Sequence, residues 1–497
     1  AKLIVIDPRQ EGLGKIADWW VPITPGSDGA LALAMLKLII DSGRYDHEFI
    51  EKYTRGFEEF KAYLDTQTME QLSKWCGISV TDIEKLTDIF CSTAKIPLVA
   101  YTGLEYQLSA IQNNRAIFVL WAITGKLDAP GAIYLNAKGL ETPKLFEIPE
   151  DDKPIGVDEF PLFYKFSGQG QFSRFPKAVL EDEPYPVRGL MILGGSPVLS
   201  FPDSKSWREA YKKLDCLIVL DRYFTEDARY ADVVFPACSL FEVPKAVPGP
   251  EGPHIVEPLI EPVGESKNDV LIMGAIAKKL GFGDKLPQTE EELRSWLLSG
   301  TAPYAGDFGT SADQKKEKHY KKYETGELRA DGKPGFPTPS GKLEICSTIL
   351  EENGFVPYPE YKDVRSIPEL AGKEYPFTMT SGARSNNRMG VFGANLDKIV
   401  EIEPYPFVDI NAEDAKEIGI KDGDMVKVIT PFADGTFKAK IRGIARHAIH
   451  IPHGGGSAYM AEPWKNGNVN DLCSLDYADP MTGFVLIKSV PCRVEKV

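Results

Sequence analysis

The hydrophobic pattern of this 497-residue chain changes character twice along its length. In the first stretch, up to about residue 187, short apolar runs alternate with longer segments of helical period. Residues 3–6, Leu-Ile-Val-Ile, read as a buried strand that enters a turn at Asp7-Pro8-Arg9. The chain then crosses to a second apolar run at 19–23 and to a helix over 28–41, opened by Pro25-Gly26-Ser27-Asp28 and ended by Gly43. Ser79 followed by Asp82 is a capping-box pattern, and Ile83, Leu86, Ile89 and Phe90 fall on one helical face. Residues 97–101 read as a strand and 115–124 as a helix, stopped by Gly125 and Pro130-Gly131. This alternation predicts a parallel sheet covered on both faces.

From about 188 to 347 the same grammar repeats. Strands are expected at 190–193, ending in Gly194-Gly195-Ser196-Pro197, at 216–220, ending in Asp221, and at 232–235, ending in Pro236. Turn chemistry at the carboxyl ends of strands marks the place where open α/β sheets hold ligands. Residues 304–339 turn polar and read as a solvated loop or insertion. Residues 348–374 read as a linker. From 375 to 497 the period shortens: strands are expected at 377–380, 407–410, 425–430, 436–441 and 448–451, with one helix at 412–418. Asp422-Gly423-Asp424 and Asp434-Gly435 look like hairpin turns, and the whole predicts a small closed β-barrel. The fold class is therefore α/β, two doubly wound regions followed by a β-barrel.

Composition narrows the function classes. The formal charge of −15 argues against non-specific nucleic-acid binding, which needs basic patches. The most apolar stretch, 30–40, is too short for a membrane span and is flanked by Asp28 and Asp41. The seven cysteines, at 76, 91, 216, 238, 346, 473 and 492, include no C-x-x-C pair, so no zinc or iron–sulfur motif is readable. They read as isolated buried thiols.

Several residues carry candidate chemistry. Asp7, at the end of a first strand, suits ribose hydroxyls; the alternative is a turn with a surface salt bridge. Ser27 or Asp28 suits a helix cap, and the Asp28 carboxylate also suits guanine, whose N1–H and N2–H2 form a parallel donor pair. Asp269 reads, from its local sequence, as a helix N-cap. Arg384, Asn386, Asn387 and Arg388 are a donor-rich cluster suited to a pyrophosphate and a heterocycle edge. His453-Gly454-Gly455-Gly456 reads as an anion nest or as a tight barrel turn. His447, His450 and His453 recur every three residues, which in a strand sets His447 and His453 on opposite faces and disfavours a metal triad. A nicotinamide dehydrogenase is disfavoured because no G-x-G-x-x-G follows the first strand.

The segment from Ile4-Val-Ile-Asp-Pro-Arg9 to Pro25-Gly-Ser-Asp-Gly-Ala-Leu-Ala-Leu-Ala34, continuing through Tyr45-Asp46, Phe49 and Tyr53-Thr-Arg-Gly-Phe57, resembles the molybdopterin oxidoreductases of the dimethyl sulfoxide reductase family. The resemblance continues in Gly103-Leu-Glu-Tyr-Gln107, Gly194-Gly-Ser-Pro197, Val219-Leu-Asp221 and Tyr230-Ala-Asp-Val-Val-Phe-Pro236. Further on it includes Asp269, Phe336-Pro-Thr-Pro-Ser-Gly-Lys-Leu-Glu344 and Thr380-Ser-Gly-Ala-Arg-Ser-Asn-Asn-Arg388. Ser196 departs from the family's usual Asn and leaves one cofactor hydrogen bond unaccounted for.

The resemblance implies family domain III over 1–187, the second half of domain II over 188–347, and a double-psi, aspartate-decarboxylase-like barrel over 375–497. It implies a bis-molybdopterin guanine dinucleotide with molybdenum or tungsten. The implied contacts are Asp7, Arg9, Gly26, Ser27, Asp28, Gly103, Gln107, Gly195, Ser196, Asp221, Asp269, Gly382, Arg384, Asn386, Arg388, His453, Trp464, Asn470 and Lys488. The match corresponds to the carboxyl-terminal two-thirds of a typical member. The metal's protein ligand and any [4Fe-4S] cluster are therefore expected in an amino-terminal remainder, in the same gene or a separate chain, and no catalytic residue is assigned. Further expected partners are an iron–sulfur electron-transfer subunit and a small substrate, in a prokaryotic cytoplasm or periplasm. The implied reaction is a two-electron redox step. A non-redox hydratase or transhydroxylase, and a non-catalytic cofactor carrier, are the alternatives.

Overall fold

The computed structural model of the chain describes residues 1–135, 153–247, 252–299, 319–382 and 395–497. Helix Asp28–Asp41 is the hub of the amino-terminal region. Its sequence is apolar on every side, and Gly29 to Leu36, Ile39 and Ile40 are all buried. A helix of that kind belongs inside a core. It packs against helices Met69–Cys76, Val80–Ser92 and Ala110–Ile123. Burying each of Leu33, Leu36 and Ile39 stabilises the region by roughly 1.5–3 kcal/mol. Ser79 caps its helix as expected, accepting the Asp82 N–H at 3.1 Å.

Strand β1 (Ile4–Ile6) pairs in parallel with β2 (Trp19–Val21), Ile4 opposite Trp19 and Ile6 opposite Val21. The sheet goes no further. Residues 97–101 form no strand: Val99 is 91% exposed and Tyr101 82%. Ile96 and Leu98 pack on the helical core, but among the described residues no strand exchanges backbone bonds with the run. Apolar, β-branched composition is not enough without a ladder partner. The expected doubly covered sheet is thus a two-stranded ribbon set against helices. Helix Ala110–Ile123 also begins five residues before the expected 115, because the polar residues Gln112 and Asn113 are buried there, each donating from its side-chain amide inside the fold.

A short strand β3 (Thr54–Arg55) lies between helices His47–Tyr53 and Phe57–Asp65. The middle of the chain contributes a three-stranded parallel sheet, β4 (Gly189–Leu193), β5 (Cys216–Asp221) and β6 (Val233–Pro236), in that order. Helix Ser204–Lys213 covers one face, with Trp207 fully buried against Phe175 and Phe201. A hairpin of β7 (Lys245–Val247) and β8 (His254–Val256), unforeseen in the sequence, follows. Strand β9 (Leu343–Glu344) returns to pair with β3. The same join is held by a buried pair, Lys322 Nζ to Asp128 Oδ1 at 2.5 Å.

The carboxyl-terminal barrel closes in the order β10 (Phe377–Ser381), β14 (Ala448–Ile451), β11 (Phe407–Ile410), β13 (Asp434–Ile441), β12 (Met425–Ile429) and β15 (Val490–Lys496). The β10–β14 and β11–β13 pairs are parallel and the others antiparallel. Met379, Val408, Ile410, Val426, Val428, Phe437, Ile449 and Val490 fill it. Two readings change here. Asp434-Gly435 lies inside β13; the turn is 430–433, where the Thr430 Oγ accepts the N–H groups of Phe432 and Ala433. The closing strand β15, with Pro491 inside it, was not foreseen.

Candidate functional site

The turn after β1 runs straight onto the barrel. Gln10 N–H donates to the Gly443 carbonyl at 2.8 Å, and Ala445 N–H to the Pro8 carbonyl at 2.7 Å. These bonds hold Asp7-Pro8-Arg9 at the seam between the amino-terminal region and the barrel. Asp7 Oδ1 accepts the Arg9 N–H at 2.8 Å, and its carbonyl accepts the Trp20 indole at 2.9 Å. Arg9 points its Nε at Asp409 Oδ2, 3.5 Å away, without hydrogen-bond geometry, so that Nε is a buried donor left unpaired.

Helix Asp28–Asp41 aims its amino terminus at the same seam. Gly26 has φ +87°, and a Cβ there would lie 2.6 Å from Ser489 Cβ at the foot of β15. Asp28 is crowded by burial, which pushes its carboxyl up to about 6, with Gln107 opposing the rise and Asp7 adding to it. Gln107 Nε2 donates to Asp28 Oδ2 at 3.3 Å and to the Gly103 carbonyl at 2.6 Å. From the barrel come Lys488, Gly382 and His453. Lys488 Nζ donates to the Ser381 carbonyl, and burial pulls its ammonium down to about 8 while Asp7 opposes the fall. A Cβ on Gly382, at φ +96°, would stand 2.6 Å from Lys488 Nζ and 3.2 Å from His453 Nε2. One locus therefore gathers Asp7, Arg9, Gly26, Asp28, Gly103, Gln107, Gly382, His453 and Lys488.

Other expectations resolve differently at this seam. Ser27 is buried, its hydroxyl donating to the Thr24 carbonyl at 2.7 Å, and it makes no side-chain cap. Gly454, Gly455 and Gly456 all have positive φ, and Gly455 and Gly456 lie against residues 466–468. His450 is buried on β14, its Nδ1 3.2 Å from Asp409 Oδ2, and burial pulls it down to about 4. Among the described residues no three metal-ligating side chains converge. Arg384, Asn386, Asn387 and Arg388 lie outside the described residues.

A second locus forms at the carboxyl ends of β4 and β5. Gly194 N–H donates to the Leu220 carbonyl at 2.9 Å, so the Gly194-Gly195-Ser196 turn sits beside Asp221. Asp221 Oδ1 accepts the Tyr223 N–H at 3.0 Å. Asp269 is not the cap of its helix; Asn268 is, accepting the Val270 N–H at 2.9 Å. The Asp269 carboxyl is raised by burial and then by Asp221, and its Oδ1 is buried without a partner. Ser196 donates its hydroxyl to Asp227, which also takes the Tyr211 hydroxyl at 2.8 Å and the Val198 N–H at 3.2 Å.

Trp464 and Asn470 make bonds within the protein. Trp464 is fully buried, and its indole donates to the Glu403 carbonyl at 3.0 Å. Asn470 Nδ2 holds the Leu199 carbonyl at 2.7 Å, tying the barrel to the turn after β4, while its Oδ1 is buried without a partner. The sequence reading missed Asn113, Asp227 and Asp409. Asp409 is a polar side chain inside the apolar run 407–410, which is the signal that would have found it; Asn113 and Asp227 sit among polar neighbours and carry no such signal.

The donor set fits a pterin dinucleotide. Paired acids suit guanosine donors, Arg9 and Lys488 suit a pyrophosphate, and the glycine at 382 leaves room where a side chain would collide. No helix among the described residues is long and apolar enough to cross a membrane.

Comparison with known proteins agrees with this chemistry. The molybdopterin oxidoreductase family model matches residues 1–279, and the molybdopterin dinucleotide-binding domain model matches residues 379–491. The chain belongs to the molybdopterin oxidoreductase family. It is 29% identical over 446 residues to the probable oxidoreductase YoaE of Bacillus subtilis, covering 86% of this chain and 61% of that one. It is 29% identical over 476 residues to the F420-dependent formate dehydrogenase subunit alpha of Methanocaldococcus jannaschii, 91% of this chain and 67% of that one. It is 27% identical over 493 residues to the acetylene hydratase of Syntrophotalea acetylenica, 91% of this chain and 66% of that one. The chain thus spans 61% to 67% of the length of these relatives. The solved structure of acetylene hydratase from Pelobacter acetylenicus shares the fold, with a TM-score of 0.82 at 24% identity, covering 100% of this chain and 74% of that one.

Proposed function

We propose that this chain is the cofactor-binding bulk of a molybdenum or tungsten bis-(molybdopterin guanine dinucleotide) oxidoreductase, acting within a larger chain or complex on a small substrate. The observation that carries this reading is the meeting of Asp7, Asp28, Gln107, Gly382 and Lys488 at the seam between helix Asp28–Asp41 and the barrel. The bound group supplies two-electron redox chemistry at its metal. The chain's own residues bind and orient. Asp28 and Asp269 accept from guanine, one at each locus. Asp7 and Asp221 take ribose hydroxyls. Arg9 and Lys488 neutralise phosphate charge, and the turns at Gly195 and Gly382 let backbone approach the ligand.

The regions would be 1–187 and 188–347 for one dinucleotide each, with 375–497 closing over both. The relatives' names include subunits of formate dehydrogenases and of a thiosulfate reductase. That supports partners here: the remainder of the enzyme and an iron–sulfur electron-transfer subunit. A hydratase on the same scaffold is the second reading, favoured by the acetylene hydratase among the relatives.

The experiment is to purify the chain from a host that makes the cofactor, measure iron and molybdenum or tungsten, and run viologen-linked turnover on candidate substrates. The chain alone should contain no iron and show no turnover. Stoichiometric iron, or turnover without any partner, would contradict the assignment of the cluster and metal ligand to another segment. Hydration of acetylene by the completed enzyme without viologen oxidation would favour the second reading.

A further inference from the structure

We infer that Asn113 is a positioning residue for base recognition: it locks the amide of Gln107, and through Gln107 it presents the Asp28 carboxylate as an acceptor pair for guanine. This rests on the reading that Asp28 meets the guanosine end of the ligand.

The orientation of both amides follows from what surrounds them. One end of the Gln107 amide lies 2.6 Å from the Gly103 carbonyl oxygen and 3.3 Å from Asp28 Oδ2. Both are acceptors, so the end facing them is the NH2. The Gln107 oxygen then faces Asn113, 2.5 Å away, and Asn113 must present its own NH2 there. That same NH2 reaches the Gly26 carbonyl at 3.5 Å. Flipping either amide would set oxygen against oxygen.

The arrangement carries a cost that packing alone does not explain. Asn113 is fully buried, and its Oδ1 has no hydrogen-bond partner. An unsatisfied buried acceptor costs about 1–3 kcal/mol, which an apolar side chain at this position of helix Ala110–Ile123 would avoid. Helix Asp28–Asp41 also carries Gly29 at the contact, where a Cβ would fall 2.1 Å from Asn113 Oδ1. Two helices are therefore shaped around one amide, and that amide's only strong bond is to Gln107.

The consequence is selectivity. Gln107 holds one side of Asp28 Oδ2 and leaves Oδ1 and the remaining lone pair of Oδ2 for two parallel donors. Guanine offers N1–H and N2–H2. Hypoxanthine lacks the second donor, and adenine offers an acceptor at N1. Without the lock, the Gln107 oxygen is free to turn toward the carboxylate, which repels it and disfavours the ionised form. The other groups near Asp28 are Asp7, which faces Lys488 and Arg9, and Tyr361 from the segment before the barrel.

The test uses the full 497-residue chain with GMP, IMP and AMP as probes, over pH 5 to 8. Wild type should prefer GMP, with affinity rising with pH through about 6 as Asp28 ionises. Asn113→Leu should weaken GMP about tenfold, reduce the preference over IMP and AMP, and move the midpoint upward. Gln107→Met, at the far end of the same contact, should do the same and serves if Asn113→Leu fails to fold. Asn113→Asp, which presents an acceptor to the Gln107 oxygen, should be no better than Asn113→Leu. Folded variants that bind all three nucleotides more weakly but with unchanged preference and midpoint would show a merely structural role and overturn the inference. Wild type that binds no GMP would overturn the Asp28 reading itself, and this inference with it.

Discussion

Asp269, at the start of its helix, has its carboxyl raised first by burial and then by the charge of Asp221 at the end of β5, and Asp269 Oδ1 is buried with no hydrogen-bond partner. Two like charges held this way destabilise the empty fold and are relieved by a donor-rich ligand. Asp269→Asn should therefore raise the melting temperature of the ligand-free chain while weakening nucleotide retention. A stability gain with full retention would remove Asp269 from the site.

Asp28 couples stability to pH in the less usual sense for an acid. Its folded carboxyl is raised from 3.8 to about 6, so between those values the folded chain holds a proton that the unfolded chain has released. Stability then falls as pH rises from about 4 to about 6. Urea unfolding of wild type and Asp28→Asn across this range should show that component only in wild type.

His450 acts in the opposite direction. Its folded imidazole is lowered from 6.5 to about 4, so between those values the unfolded chain binds a proton that the folded chain does not. Stability falls as pH drops through this window. His450→Gln should flatten the loss, provided the Asp409 pairs with Arg9 and Arg442 stay intact. An unchanged acid limb would show that other groups carry it.

Asp227 anchors Ser196, Val198 and Tyr211 under the turn after β4. Asp227→Ala strands the buried Tyr211 hydroxyl and should cost about 3 kcal/mol, measured by chemical denaturation. Asp227→Asn retains an acceptor and should recover part of it. If both variants unfold like wild type, the turn is held by packing alone.

Gly26→Ala places a Cβ against Ser489 and forces an L residue into left-handed backbone. The backbone term alone costs about 1–2 kcal/mol. Ser489→Gly should relieve the steric part and leave the backbone part. Full rescue would mean that only the contact mattered.

The barrel was legible because its strands alternate and its turns are short; four of its six strands lie within one residue of expectation at both ends. The fifth, β13, starts two residues early, since Pro431 rather than Asp434-Gly435 makes the turn. The sixth, β15, was hidden because Pro491 interrupts a run that only its two long-range neighbours complete. Residues 97–101 misled for the converse reason: strand-like composition with nothing beside it. Acids at strand ends and helix starts were readable from local grammar. Asn113 and Asp227 were not, because their partners lie far away in sequence or behind a turn whose shape the sequence leaves open.

The central claim, guanine nucleotide at two acid-bearing loci, is tested most directly by chain purified from a cofactor-producing host. Acid hydrolysis followed by quantification of released GMP counts the dinucleotides. Wild type should release a guanine nucleotide from each locus, while Asp28→Asn and Asp269→Asn should each lose one and retain the other. Release of another nucleotide, or equal release from wild type and both variants, would contradict the account.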